Sequence, residues 1–120
     1  MLVAVDGDAI VGHVQIVDTA RPDEAEIKNM AVEPARQGDG IGRALVAGAV
    51  RHVRERSRST LTVATAAADI GNLRFYQRVG LRLRSVERDA FTPASGYPNE
   101  MRIDGIELRD RVWLARPVDP

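Results

Sequence analysis

Polar and apolar positions change period several times along the chain. Leu2-Val3-Ala4-Val5 and Ala9 to Val17 are runs rich in β-branched residues, joined by Asp6-Gly7-Asp8, a turn composition that favours positive φ. They predict a hairpin. Asp18 to Glu24 holds Pro22 and polar residues and reads as a loop, after which the apolar run Ile27 to Val32 predicts a third strand. Glu33-Pro34-Ala35-Arg36 breaks that strand, and Gly38, Gly40 and Gly42 follow closely. From there Ile41, Leu45, Val46, Ala49, Val50 and Val53 recur on one side of a helix ending near Ser57. Arg51, Arg54, Arg56 and Arg58 sit where cations suit the negative end of the helix dipole, and read as a solvated helix end.

Thr60 to Thr65 alternates polar and apolar like a strand, and Asp69 or Asn72 can cap a short helix that runs to Val79 and stops at Gly80. Leu81 to Val86 and Leu108 to Leu114 alternate again, with Thr92 to Gly105 between them read as a long loop. No repeat or low-complexity tract interrupts this order.

With 120 residues, one domain is expected. Hydrophobic residues at 44% and charged ones at 28% suit a globular chain. Seventeen basic and seventeen acidic residues cancel, and with 4% aromatics this argues against a nucleic-acid or anionic-membrane partner. Only Lys28 among the basic residues is lysine, so the arginines reflect compositional bias as much as phosphate recognition. The longest apolar stretch, Ala44 to Val50, is far short of the ~20 residues of a spanning helix, which predicts a soluble, cytoplasmic protein. The absence of cysteine excludes an acyl-cysteine route, and His13 and His52 stand apart, so no metal site is expected.

The glycine loop is the strongest chemical signal. Glycines alternating between a strand and a helix start let backbone N–H groups converge on an anion without side-chain obstruction. The Rossmann and Walker spacings both fail here. Gln37-Gly38-Asp39-Gly40-Ile41-Gly42, continued by Arg43-Ala44-Leu45, resembles the [Gln/Arg]-x-x-Gly-x-[Gly/Ala] pattern of the GNAT family of N-acetyltransferases. Asn72-Leu73-Arg74-Phe75-Tyr76-Gln77-Arg78-Val79-Gly80-Leu81 is similar to that family's second motif, with Leu81 in place of the usual Phe. Met30-Ala31-Val32-Glu33-Pro34 matches the strand and proline that precede the first.

The resemblance implies an α/β (α+β) fold with a mixed, mostly antiparallel central sheet and helices on both faces, forming one acetyltransferase domain over residues 1–120. The match begins at the family's second strand, so the domain is expected to be N-terminally short, without the first strand and the two helices that shape the acceptor pocket. The implied reaction is acetyl transfer from acetyl-CoA to a primary amine of a small molecule or peptide, by direct attack in a ternary complex. A non-catalytic acyl-CoA-binding regulatory module is the alternative.

By the same resemblance, the backbone of Met30, Ala31 and Val32 binds the pantetheine arm and thioester carbonyl. Gln37, Gly38, Asp39, Gly40, Ile41, Gly42 and Arg43 hold the pyrophosphate, Asn72 contacts the cofactor arm, and Tyr76 protonates the leaving thiolate. Glu26 is the candidate general base, and strand alternation sets Glu26, Lys28 and Met30 on one face. Phe75 reads as core, and so would Tyr76 without the motif. Trp113 suits the core or a subunit contact, and His13 a satisfied or exposed strand position rather than the acceptor pocket. A homodimer is expected, because an exposed sheet edge would leave apolar surface uncovered.

Overall fold

The computed structural model describes residues 1–97 and 101–118. Eight strands and two α-helices follow in the order β1 (Leu2–Asp6), β2 (Ala9–Asp18), β3 (Glu24–Val32), α1 (Ile41–Glu55), β4 (Thr60–Ala66), α2 (Ile70–Arg78), β5 (Arg82–Glu87), β6 (Arg102–Ile103), β7 (Ile106–Glu107) and β8 (Arg111–Pro117). Six of the strands form one mixed, mostly antiparallel sheet in the order β1-β2-β3-β4-β8-β5, which is the α/β architecture expected. No helix among the described residues is long and apolar enough to cross a membrane.

The residues gather into two compact units. The first comprises residues 1–62 with the chain end from Pro117. Here β1, β2 and β3 pair antiparallel, and α1 lies against them through Leu45, Val46, Ala49, Val50 and Val53, all buried. Gly12 of β2 makes close packing possible. A Cβ there would lie 3.1 Å from the carbonyl oxygen of Ala31, Ile41 Cγ2 and Leu45 Cδ1, so glycine lets the first turn of α1 settle closely on the sheet without displacing them.

The far end of α1 is pinned rather than solvated. Arg54 donates to the carbonyl of Val118 at 2.7 Å, Arg56 to Asp18 at 2.7 Å, and Arg58 to the carbonyls of Arg21 and Glu24 at 3.1 and 2.7 Å. Arg56 and Arg58 satisfy the connection between β2 and β3, and Arg54 the chain end, groups that a charge count alone assigns to water.

The second unit runs from Val63 to Arg116. β5 pairs antiparallel with β8, and Val63, Tyr76, Val79, Leu81, Val112 and Leu114 are buried within it.

Four further expectations, all on the strands, need correction. β3 begins at Glu24 rather than Ile27, because Glu24 and Ala25 are already buried and Ala25 pairs with Asp18, while the Glu24 carboxylate is held by Arg21 at 3.1 Å. A polar residue buried at a strand start hides the alternation. Within β3, Asn29 pairs with Gln15 but Ile27 pairs with Ile16, so Lys28 is an extra, bulged residue. The alternation therefore resets, and Glu26 does not share a face with Met30.

β8 starts at Arg111 rather than Leu108, since the backbones of Leu108, Arg109 and Asp110 bond to Met101, Phe91 and Ala67 instead of a ladder. The segment read as a loop from Thr92 to Gly105 holds β6, which forms a hairpin with β7 just beyond it; the turn residues Asp104 and Gly105 take φ of 50° and 82°. Asp-Gly is the composition such a turn needs.

Candidate active site

In the first unit, β3 delivers the chain to a short 3₁₀ turn, Pro34–Arg36, and then to the glycine loop. Gly38 and Gly40 adopt φ of 91° and 83°, a left-handed conformation that strains any residue with a Cβ, and nothing lies within 4 Å of where a Cβ would stand at either. Gly40 is the N-cap of α1, no side chain caps it, and no acidic residue occupies the first turn. The first hydrogen bond of the helix is Ala44 N–H to the carbonyl of Gly40 at 3.0 Å. The N–H groups of Gly38, Gly40, Ile41, Gly42 and Arg43 make no hydrogen bond among the described residues. Five donors at the positive end of a 15-residue helix, with open space before them, make a receptor for a phosphate-bearing group.

The loop's side chains have different tasks. Gln37 Nε2 donates to the carbonyl of Val32 at 3.3 Å and ties the loop to the end of β3. Asp39 accepts from Arg36 Nε at 3.1 Å, and Arg36 also donates to Asp6 at 2.6 Å. The hydrogen bonds that Arg36 donates to Asp6 and Asp39 raise its pKa above its ordinary value. Asp39 and Arg36 therefore brace the loop, and the Asp39 N–H is itself bonded to the Arg36 carbonyl at 3.3 Å. Arg43 is exposed on the first turn of α1, with no ion pair among the described residues.

On β3 the bulge at Lys28 divides the predicted residues. Met30 pairs with Val14 and Ile27 with Ile16, placing Met30 on the face of the buried Val14 and Ile27. Ala31 pairs with His13, Asn29 with Gln15 and Glu26 with Val17, so Glu26 shares the opposite face with a polar ladder. In that ladder His13 Nε2 meets Asn29 Oδ1 at 3.0 Å and Asn29 Nδ2 donates to Gln15 Oε1 at 2.6 Å. His13 is thus a satisfied strand histidine, as expected. Val32, paired with Gly12, ends the strand beside the loop. Sequence reading missed both this ladder and Gly12; a bulge leaves no signature in a single sequence.

In the second unit, Asp69 caps α2 by accepting the Asn72 N–H at 3.0 Å. The Asn72 side chain turns back to β4, its Nδ2 donating to Thr65 Oγ1 at 3.3 Å. Tyr76, one turn on, is only 6% exposed, whereas its neighbour Phe75 is half-buried and meets it edge-on at 5.2 Å. The tyrosine, not the phenylalanine, is the core aromatic of this helix. Its hydroxyl has no hydrogen-bonding partner among the described residues, yet no buried side-chain polar atom there is unsatisfied, so the oxygen reaches the surface. Burial, and secondarily the negative charge of Asp69, push the phenol pKa above 10.

A shallow depression along α2, lined by Ile70, Leu73, Arg74, Gln77 and Arg78, includes neither Asn72 nor Tyr76. No group of carboxylates and imidazoles suited to a metal occurs among the described residues.

A mixed sheet whose central strand runs through a glycine loop into an uncapped helix is the frame of a coenzyme-A-dependent acyltransferase. The chain belongs to the acetyltransferase (GNAT) family, whose model matches residues 1–81. An uncharacterized N-acetyltransferase of Bacillus subtilis (strain 168), YvbK, is 32% identical over 108 residues, covering 90% of this chain and 68% of that one. Among solved structures, an IAA acetyltransferase from Bacillus cereus ATCC 14579 superposes with a TM-score of 0.86 at 35% identity, over 96% of this chain and 75% of that one. A Bacillus subtilis acetyltransferase in complex with CoA superposes with a TM-score of 0.88 at 29% identity, over 96% of this chain and 74% of that one.

Proposed function

We propose that this chain transfers an acetyl group from acetyl-CoA to a primary amine on a small molecule or peptide, by direct attack within a ternary complex. The observation that carries this reading is the set of five backbone donors, at Gly38, Gly40, Ile41, Gly42 and Arg43, that are unpaired among the described residues. Acetyl-CoA supplies the activated thioester. The loop donors and the α1 dipole hold its pyrophosphate, and the exposed Arg43 adds a cation beside them. Met30, Ala31 and Val32 engage the arm through their backbone, and Asn72 meets it from the start of α2.

Glu26 removes one proton from the incoming ammonium, directly or through water, and the neutral amine forms the N–C bond; as the C–S bond breaks the nitrogen gives up its second proton, which passes through water to restore the Tyr76 phenol. Tyr76 gives its phenolic proton to the departing sulfur. Three features support these roles: the half-buried carboxylate of Glu26 stands on the polar face of β3, the Tyr76 phenol stays protonated beyond its ordinary range, and its oxygen is not engaged elsewhere. No cysteine is available for a covalent route.

The test is steady-state acetylation of a panel of amines by the wild type and Tyr76→Phe. Loss of the proton donor is expected to lower kcat by roughly 10²-fold or more while acetyl-CoA affinity holds. Equal turnover by the two proteins removes Tyr76 from the chemistry. No turnover by the wild type with any amine, despite intact acetyl-CoA binding, favours the non-catalytic acyl-CoA-binding module.

A further inference from the structure

The bond that satisfies His13 also fixes its tautomer. His13 Nε2 lies 3.0 Å from Asn29 Oδ1, and a carbonyl oxygen only accepts, so the neutral ring carries its proton on Nε2. Asn29 is itself held in this orientation, because its Nδ2 donates to Gln15 Oε1 at 2.6 Å. The lone pair of the ring is therefore on Nδ1, which makes no hydrogen bond among the described residues. A half-buried imidazole, oriented by an amide through one nitrogen and open at the other, is built to accept a proton.

Its position on the sheet indicates which proton. His13 stands directly opposite Ala31, on the face that also carries Gln15, Asn29 and Glu26. Residues paired in this way have Cβ atoms about 5 Å apart. Ala31 is one of the three residues whose backbone engages the thioester in the proposed acetyl transfer. Glu26 is four paired steps from Ala31, about 13 Å at roughly 3.3 Å per step. A carboxylate at that distance can strip the first proton from an amine on its way in, or through water. The second proton leaves only after the N–C bond has formed, when the nitrogen is fixed at the carbonyl. Of the titratable side chains on β2 and β3, His13 is the one opposite that point.

Resting on that reading of the reaction, we propose that His13 is a catalytic residue whose Nδ1 accepts the second proton of the amine nitrogen. The Nδ1 lone pair takes the proton and the N–H electron pair stays on nitrogen as the amide forms. The C–S bond breaks, and the sulfur leaves with the phenolic proton of Tyr76. The imidazolium then returns one proton through water to the tyrosinate, so both residues end as they began. Asn29 is a positioning residue: it keeps the lone pair on Nδ1, and its carbonyl oxygen faces the N–H that becomes part of a cation.

Steady-state acetylation of an amine panel by the wild type, His13→Ala and His13→Gln tests this, with acetyl-CoA affinity followed by calorimetry. His13→Ala is expected to lower kcat about 10²-fold with affinity and circular dichroism unchanged, and imidazole in the buffer to restore about tenfold of that loss. His13→Gln keeps a donor for Asn29 but has no base, and is expected to be equally slow. Nitrogen-15 NMR of the wild-type ring is expected to show the Nε2-protonated tautomer, giving way to a mixture in Asn29→Ala, with a lower kcat. Wild-type rates in both His13 variants, slow variants that imidazole does not restore, or a ring protonated on Nδ1 overturn the role of His13 and leave acetyl transfer standing. A wild type that acetylates no amine overturns the transfer reading and this role with it.

Discussion

At the scale of single residues, the phenol of Tyr76 ties the fold to the proposed chemistry. Buried on α2 and near Asp69, it holds its proton above its ordinary pKa. The native state therefore binds this proton more tightly than the unfolded chain does. The resulting stability is complete below about pH 10 and is lost as pH rises through the native value. An alkaline titration followed by tyrosinate absorbance is expected to show one late phase that Tyr76→Phe removes. In the rate profile of an acetyltransferase, loss of the acid would belong to the same region, leaving any limb near neutrality to the base or the amine. Motif spacing singled out Tyr76. Its burial relative to Phe75 was not legible, because neighbouring aromatics on a short helix are ranked by what packs against them.

Individual elements depend on a few contacts the sequence advertises poorly. Gly12→Ala would bring a Cβ within 3.1 Å of the Ala31 carbonyl and the side chains of Ile41 and Leu45. Overpacking there is expected to cost about 1–3 kcal/mol, measured by urea unfolding, and to weaken acetyl-CoA binding by displacing the helix start. Arg58→Ala leaves the carbonyls of Arg21 and Glu24 without this donor and breaks the 3.3 Å pair with Asp18. A loss of about 1–3 kcal/mol is expected in the same measurement. Asp69→Ala removes the α2 cap, at about 1 kcal/mol.

The helices and most strand positions were legible from period alone. The bulge at Lys28, the burial of Glu24 and the displaced start of β8 were not, since each depends on backbone partners from distant parts of the chain. The Asp104-Gly105 turn was written in the sequence, and its two-residue strands were too short to stand out.

On the scale of the whole molecule, the two segments that match the family's motifs lie in separate units: the glycine loop with α1 in one, and α2 with Asn72 and Tyr76 in the other. Both were readable as motifs because each depends on local chemistry, glycines needed for positive φ and a helix cap with its first turns. The face of Glu26 was not, since one bulged residue reverses it. Charge balance was informative in a different way. Three of the clustered arginines near the α1 terminus hold carbonyls and carboxylates of their own chain, and Arg36 holds Asp6 and Asp39, so the proposed recognition of the phosphates rests mainly on the backbone.

That division of labour is tested most directly by calorimetric titration of acetyl-CoA into the wild type and Gly40→Asp. At φ 83° a side chain is strained, and a carboxylate there would face the pyrophosphate at the helix N-terminus. Wild-type binding with Kd in the micromolar range, weakened at least tenfold in a folded Gly40→Asp variant, is the expected result. Equal affinity of the two proteins, or no binding by the wild type, would contradict a backbone cradle for the cofactor.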